Sequence, residues 1–134
     1  MLKNEDFDRS EAVQYWMGSL GGRDTVGSTK YQWKLRLRKF CKWLGKTSDE
    51  LIDERKEDLK NDDDRIRHRA EMVVKEYLRV LEDKGLSPNT IRTYFAAIRS
   101  FYQHNYAELN FLRRDALKVI NVTEGAKAAT QEEI

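Results

Sequence analysis

The sequence is poor in the residues that form disulfides, metal sites and membrane spans. It has one cysteine, Cys41, one proline and two histidines, His68 and His104, among 134 residues. One cysteine excludes an internal disulfide, and these residues do not form a metal-ligand set, so we expect neither a metal nor another cofactor. No run of about 18 apolar residues is present, and the N-terminus lacks a basic-then-apolar signal pattern. We therefore expect a cytoplasmic protein without a membrane contact, in which Cys41 is a core thiol.

Length and composition predict one compact domain. A hydrophobic content of 40% in 134 residues is enough for one modest core. The only periodicity is that of amphipathic helices, so the sequence predicts an all-α fold. Five helices are expected, at about residues 12–20, 28–44, 47–59, 64–84 and 87–105.

Local start signals support three of these helices. Ser28 or Thr29 is expected to cap the second helix, and Thr47 with the glutamate at position 50 forms a capping-box pattern before the third. Ser87 can cap the fifth helix, with Pro88 at its first position, where the missing proline N–H would have no partner anyway. The fourth helix is defined by an acidic cap at 61–64 and by the stripe Ile66, Ala70, Val73, Tyr77 and Leu81.

The C-terminal part predicts a domain boundary. Apolar residues between 111 and 120 predict one more packed helix, and "EGAKAA" is typical of a linker. Thr130 and Glu133 then repeat the capping-box pattern that begins a helix. We expect residues 1–122 to form a helical domain, and residues 123–134 to be a linker and the start of a further domain that continues beyond this chain, the alternative being a frayed native tail.

Charge is segregated along the chain although the net charge is only +2. Residues 28–46 contain seven basic and no acidic residues, whereas residues 47–64 contain nine acidic and three basic ones. Residues 87–102 contain two arginines and no acid. Exposed helices usually mix signs, because opposite charges pair at i,i+4. The segregation favours a surface for a polyanion, although solvated helix faces also produce charge runs.

The second and fifth predicted helices share a template. The series Thr29, Trp33, Leu37, Arg38, Phe40 is matched at a constant offset of 61 residues by Thr90, Tyr94, Ile98, Arg99, Phe101. In each helix the aromatic and aliphatic positions fall on one face, which we predict to be core. Two amphipathic helices can also coincide in this way without a common role.

The polar residues of these two helices suit duplex DNA. Helix N-termini present free backbone N–H groups to phosphates, and long polar side chains can reach base edges in the major groove. Acid is unfavourable there, because duplex DNA carries one negative charge per about 1.7 Å of its axis. The candidate DNA-binding residues are Ser28, Thr29, Lys30, Gln32, Lys34, Arg36, Arg38, Ser87, Asn89, Thr90, Arg92, Thr93 and Arg99.

Three segments, "STKYQWKLRLRKFCKWLGK", "KGLSPNTIRTYFAAIRSFYQHN" and "ATQEEI", resemble the N-terminal SAM-like, or core-binding, domain of tyrosine recombinases and phage-type integrases. A further stretch, "GKTSDELIDERKEDL", and the C-terminal tail look most like the archaeal members. The resemblance implies an orthogonal bundle of four to five helices that forms one half of a clamp around double-stranded DNA during DNA integration or recombination. The helices equivalent to 28–44 and 87–105 would face the major groove. It also implies a homo-oligomer on DNA and a following catalytic domain.

The family's catalytic residues are not found in this chain. "HRAE" at 68–71 differs from the family's His-x-x-Arg motif, and we interpret the tyrosines at 31, 77, 94, 102 and 106 as core or rim aromatics. We therefore expect no enzymatic activity and no small-molecule substrate. Tyr31 and Leu35 interrupt the cationic side of their helix, so the sequence does not determine which face of this helix contacts DNA. They also support an alternative, a helical protein-interaction module that docks an acidic partner.

Overall fold

The protein is helical in the part that the computed structural model describes, residues 4–22 and 28–111. These ranges contain seven helices and no strand, which confirms the all-α prediction. The helices are α1 Asn4–Arg9, α2 Glu11–Leu20, α3 Thr29–Leu44, α4 Ser48–Leu59, α5 Asp64–Arg67, α6 Arg69–Asp83 and α7 Pro88–His104. One short helix, α1, is added to the five expected, and the fourth expected helix is divided into α5 and α6. None of the described helices has the length and apolarity needed to cross a membrane.

The boundaries of α3 follow from its two flanking residues. Ser28, rather than Thr29, is the N-cap, since its Oγ accepts a hydrogen bond from the Tyr31 N–H at 3.0 Å. Gly45 ends the helix with φ at 71°, in the left-handed region that a side chain disfavours. The expected end near residue 44 is therefore confirmed.

The N-termini of α4 and α7 are capped as predicted. Thr47 Oγ1 accepts from the Glu50 N–H, and Glu50 Oε1 accepts from the Thr47 N–H, both at 3.1 Å, which completes the capping box. At the start of α7, Ser87 Oγ accepts from the Thr90 N–H at 3.2 Å, and Pro88 occupies the first turn. Hydrogen-bonding groups that are close in sequence were enough to define both starts.

The prediction of one continuous helix over about 64–84 is wrong. Asp63 Oδ1 caps the single turn α5 by accepting from the Arg65 N–H at 3.0 Å, and His68 interrupts the helix with φ −105° and ψ 19°. Beside the break, the Arg67 carbonyl accepts from Nη1 of Arg55 at 2.7 Å. A side chain from α4 thus gives this carbonyl a partner outside the helix.

The core lies between α3 and α7, which pack directly against each other. Leu37, Phe40 and Cys41 of α3 and Ile98 and Phe101 of α7 are fully buried. Burial also raises the pKa of the Cys41 thiol to about 12. The predicted core faces of both helices, and the interpretation of Cys41 as a core thiol, are confirmed.

Helices α6 and α2 complete the core. The Tyr77 ring of α6 lies 5.0 Å from the ring of Phe40 and 6.0 Å from that of Tyr94. Trp16 of α2 is fully buried, and its Nε1 donates to Ser100 Oγ of α7 at 3.0 Å. Of the stripe predicted for the fourth helix, Tyr77 and Leu81 are buried, whereas Ala70 and Val73 on α6 and Ile66 on α5 are half-buried.

A buried ion pair, unforeseen from the sequence, connects α4, α6 and the segment after α7. Arg55 and Glu71 are 1% and 4% exposed and form a bidentate pair with distances of 2.6 and 2.7 Å. Arg55 also donates to the Glu108 carbonyl at 2.9 Å, and Glu71 accepts from the Asn110 N–H at 2.7 Å. These extra bonds offset the desolvation of both charges and fix residues 108–110 against the bundle.

The described chain ends at Phe111, whose ring lies 5.6 Å from that of Phe95 on α7. The packed helix predicted within 111–120 and the capping box at Thr130 lie, apart from Phe111, outside the described residues. The same holds for the linker and domain start at 123–134.

Candidate nucleic-acid interface

Helix α7 presents an exposed cationic face. Arg92, Arg99 and Gln103 are exposed on the side opposite to the buried Ile98. Within residues 4–22 and 28–111, neither guanidinium is ion-paired or hydrogen-bonded to another residue. Both arginines are therefore available to an external anion.

The N-terminus of α7 continues this polar surface. Its first turn contains no acid, so that the positive end of a 17-residue helix dipole is not offset there. The hydroxyls are engaged locally: Ser87 Oγ lies 2.9 Å from Thr90 Oγ1, and Thr93 Oγ1 donates to the Asn89 carbonyl at 3.0 Å. The Asn89 side chain is exposed and remains the polar group of this turn best placed for a ligand.

The first cations of α3 are held by other parts of the chain. Lys30 Nζ donates to the carbonyls of Gly21 and Gly22 at 3.2 and 3.4 Å. Lys34 Nζ lies 3.5 Å from Asp8 Oδ1, and the lysine side chain is only 16% exposed. Asp8, on the helix α1 that the sequence did not predict, therefore offsets one cation of the acid-free stretch 28–46.

Arg36 is directed to α7. Its Nη1 donates to Gln32 Oε1 at 3.0 Å and to the Gln32 carbonyl at 3.3 Å, while its guanidinium carbon lies 5.4 Å from the centre of the Tyr94 ring. Arg36 and Arg38 are both half-buried, and their Nε atoms are buried without a hydrogen-bond partner in the described part of the chain. Gln32, Arg36 and α7 thus form one connected unit.

The most exposed cations of α3 are not among the DNA-binding residues predicted from the sequence. Lys39 and Lys42 are exposed, whereas Lys30, Lys34 and Arg38 are half-buried. Both lie on the side of the helical wheel away from the core residues of α3, and that position is the signal that could have identified them. Of the remaining candidates on α3, the Thr29 side chain is exposed and the Ser28 cap is half-buried.

Two carboxylates of α4 have partners on other helices. Asp49 Oδ1 accepts from Ser10 Oγ at 3.0 Å and from the Ala12 N–H at 2.9 Å, which caps α2 from a distance. Asp58 Oδ1 lies 2.6 Å from Nη2 of Arg69 on α6. In the described ranges, the acidic helix is thus tied to α2 and α6 and not to the arginines of α7.

Three of the five tyrosines discussed above are core residues. Tyr77, Tyr94 and Tyr102 are buried, and burial raises the pKa of Tyr77 and Tyr102 well above the ordinary phenol value. Tyr31 is half-buried and Tyr106 is 79% exposed.

Comparison of the chain with models of protein families, with curated proteins and with solved structures gives no match.

Proposed function

We propose that this chain is the DNA-binding module of a site-specific tyrosine recombinase or integrase and clamps duplex DNA during integration or recombination. The observation that carries the proposal is the acid-free α7 face, on which Arg92 and Arg99 are exposed and have no partner among the described residues. The resemblance of three segments to the core-binding domain supplies the biological context. The catalytic residues and a second DNA-contacting domain would then lie outside this chain.

The mechanism of the proposed module is mainly electrostatic. Arg92 and Arg99 neutralise backbone phosphates and release condensed counterions, which gives affinity for any duplex and a steep salt dependence. Asn89 and Gln103, exposed on the same helix, can add contacts that set the register or read base edges. The exposed Lys39 and Lys42 of α3 are assigned to the duplex as a second group of cations.

The arginine pair provides the central test. Arg92→Ala and Arg99→Ala together should lower the affinity for a random duplex about tenfold or more at low salt, by analogy with other phosphate and base contacts. Fluorescence anisotropy measures the affinity, and circular dichroism should show unchanged helicity because both side chains are exposed. Unaltered binding to every duplex tested would contradict the assignment of this face.

A matched control separates this face from general charge. Arg79→Ala removes an exposed arginine of α6 that pairs with Glu76 at 3.2 Å, and it should change duplex binding much less than Arg92→Ala or Arg99→Ala alone, each of which removes the same single charge. A polyglutamate of equal charge, titrated in parallel, tests the alternative of an acidic protein partner. If the arginine pair matters for polyglutamate and not for duplex DNA, the protein-interaction alternative replaces the DNA proposal.

A further inference from the structure

A cleft of about 410 Å³ lies where α2, α4 and the residues just after α7 meet. Its walls include Glu11 and Tyr15 from α2, Asp49 and Asp53 from the α4 side, and Tyr106 after α7. The proposed DNA contacts are on other residues, so the cleft is a separate feature of the surface. Its volume is within the range of about 300–1,000 Å³ typical of ligand pockets.

The charge of the cleft selects a cation. It contains three carboxylates, Glu11, Asp49 and Asp53, and a single ammonium group, that of Lys56. Glu11 and Asp53 are exposed and have no ion-pair partner within the described ranges. Asp49 uses Oδ1 to cap α2, and its Oδ2 has no hydrogen bond to any described residue. An anion is repelled here, and a cation finds acceptor oxygens on two helices.

The aromatic wall makes the cleft more specific. Tyr15 and Tyr106 are 48% and 79% exposed, with ring centres 6.0 Å apart and hydroxyl oxygens 3.2 Å apart. Their mutual hydrogen bond also raises the pKa of Tyr15, so the Tyr15 ring stays neutral at ordinary pH. A planar guanidinium stacks on such rings while its N–H groups donate to carboxylates, and lysine cannot combine the two contacts in the same plane.

Tyr106 occupies a costly position for a tyrosine. Its φ of 58° makes it the one non-glycine residue with positive φ among those described. A bulky side chain in this region carries backbone strain, which a glycine would relieve. The chain thus has a large, exposed aromatic ring at a position where glycine would be less strained.

We infer that this cleft is a docking site for an arginine-bearing basic segment of a separate protein. The guanidinium would lie against Tyr15 and Tyr106 and donate to the carboxylates of Asp53 and Glu11. The inference does not depend on the DNA proposal, because it uses none of the residues assigned to the duplex.

The test is a titration of the full chain with a capped tetra-arginine peptide, followed by amide chemical shifts. Glu11→Gln combined with Asp53→Asn should weaken binding at least tenfold and leave the fold intact, since both side chains are exposed. Tyr106→Gly should weaken binding severalfold while leaving the chain as stable as before or more stable. Loss of binding together with gained stability distinguishes a docking residue from a structural one.

The control carries the same charge change at another place. Glu82→Gln combined with Asp83→Asn neutralises two exposed carboxylates at the end of α6 and should leave peptide binding unchanged. Equal weakening by both double variants, or unchanged binding in Tyr106→Gly, would overturn the inference in favour of diffuse attraction. Self-association that disappears in the Glu11 and Asp53 variant would assign the cleft to a second copy of this chain instead.

Discussion

Helices α3 and α7 share a core template but use their polar faces differently. At the 61-residue offset, three cations of α3 correspond to three apolar residues of α7: Lys30, Lys34 and Arg36 to Ile91, Phe95 and Ala97. The α7 residues are buried or half-buried, and so the cations of α3 lie at the edge of a core. They are half-buried and are held by carbonyls, by Asp8 and by the Tyr94 ring.

The difference separates two uses of a basic helix. A cation at the edge of the core must have a partner, because desolvation without one is unfavourable, and it then contributes to the fold. A cation opposite the core, such as Arg92 or Arg99, keeps its solvation and remains available to a ligand. An acid-free stretch of sequence is therefore a weaker indicator of a binding face than the wheel position of each basic residue.

The largest expected effect tests whether the two core faces are equivalent. Phe40→Ala and Phe101→Ala each remove a fully buried ring at the same template position. Each should lower the free energy of unfolding by about 3–5 kcal/mol. Urea denaturation followed by circular dichroism measures the loss of unfolding free energy in both variants. If the two losses differ by more than about half of the expected 3–5 kcal/mol, the two core faces are not equivalent.

Alkaline pH should reduce stability through another matched pair. Cys41 and Tyr102 are buried at the same template position, and burial raises the pKa of Cys41 from 9.0 to about 12 and that of Tyr102 above 10.0. A raised pKa in the folded state means that the folded protein binds more protons than the unfolded chain above pH 9. Stability should therefore be fully present below pH 9 and decrease as the pH rises towards 12.

Urea denaturation between pH 8 and 11 measures this decrease. The pH dependence should be shallower in Cys41→Ala, although that variant is less stable at every pH. If stability remained constant over this range in the unmodified protein, the burial of both weak acids would be contradicted.

A smaller effect on duplex binding is expected when the exposed cations of α3 are compared with those that already have partners in the fold. Lys39→Ala with Lys42→Ala should lower the slope of log affinity against log salt by about 0.9 for each phosphate that is no longer neutralised. Lys30→Ala with Lys34→Ala removes the same charge from half-buried positions that already have partners, and should lower the slope less. The reverse order would place the DNA-contacting face on the Lys34 side of the helix.

The smallest effect concerns the partner of Lys34. Asp8→Asn removes the carboxylate 3.5 Å from its Nζ. Because a partly exposed pair contributes about 0–1 kcal/mol, stability should change by no more than that. Duplex affinity should rise slightly, by about threefold or less, because Asp8 no longer offsets the charge of Lys34. Glu82→Gln, which removes a distant exposed charge, should give a smaller increase in anisotropy-based affinity.

The sequence was a good guide where neighbouring residues determine the structure. The caps at Ser28, Thr47 and Ser87 and the stop at Gly45 depend on groups within a few residues, and all were predictable. The short helix α1 was not, because six residues give too little periodicity to recognise. The break at His68 occurs beside contacts that Arg55, a residue of another helix, makes with Arg67 and Glu71, and no local pattern contains it.

The candidate site divides in the same way. The exposure of Arg92 and Arg99 followed from their position opposite an apolar stripe, which periodicity reveals. The engagement of Lys34 by Asp8 and of Arg36 by Tyr94 depends on which helices become neighbours. Such tertiary contacts are not encoded in any single segment, and so the partners of Lys30, Lys34 and Arg36 could not be predicted from the sequence.

The buried Arg55–Glu71 pair has a mechanical consequence. Because it grips the backbone at Glu108 and Asn110, tension applied to the chain at Phe111 is transmitted first to α4 and α6. The end of α7 is thereby shielded from peeling. If a tethered domain pulled on this point, the force would act on the buried Arg55–Glu71 pair before it could unwind the helix that carries Arg92 and Arg99.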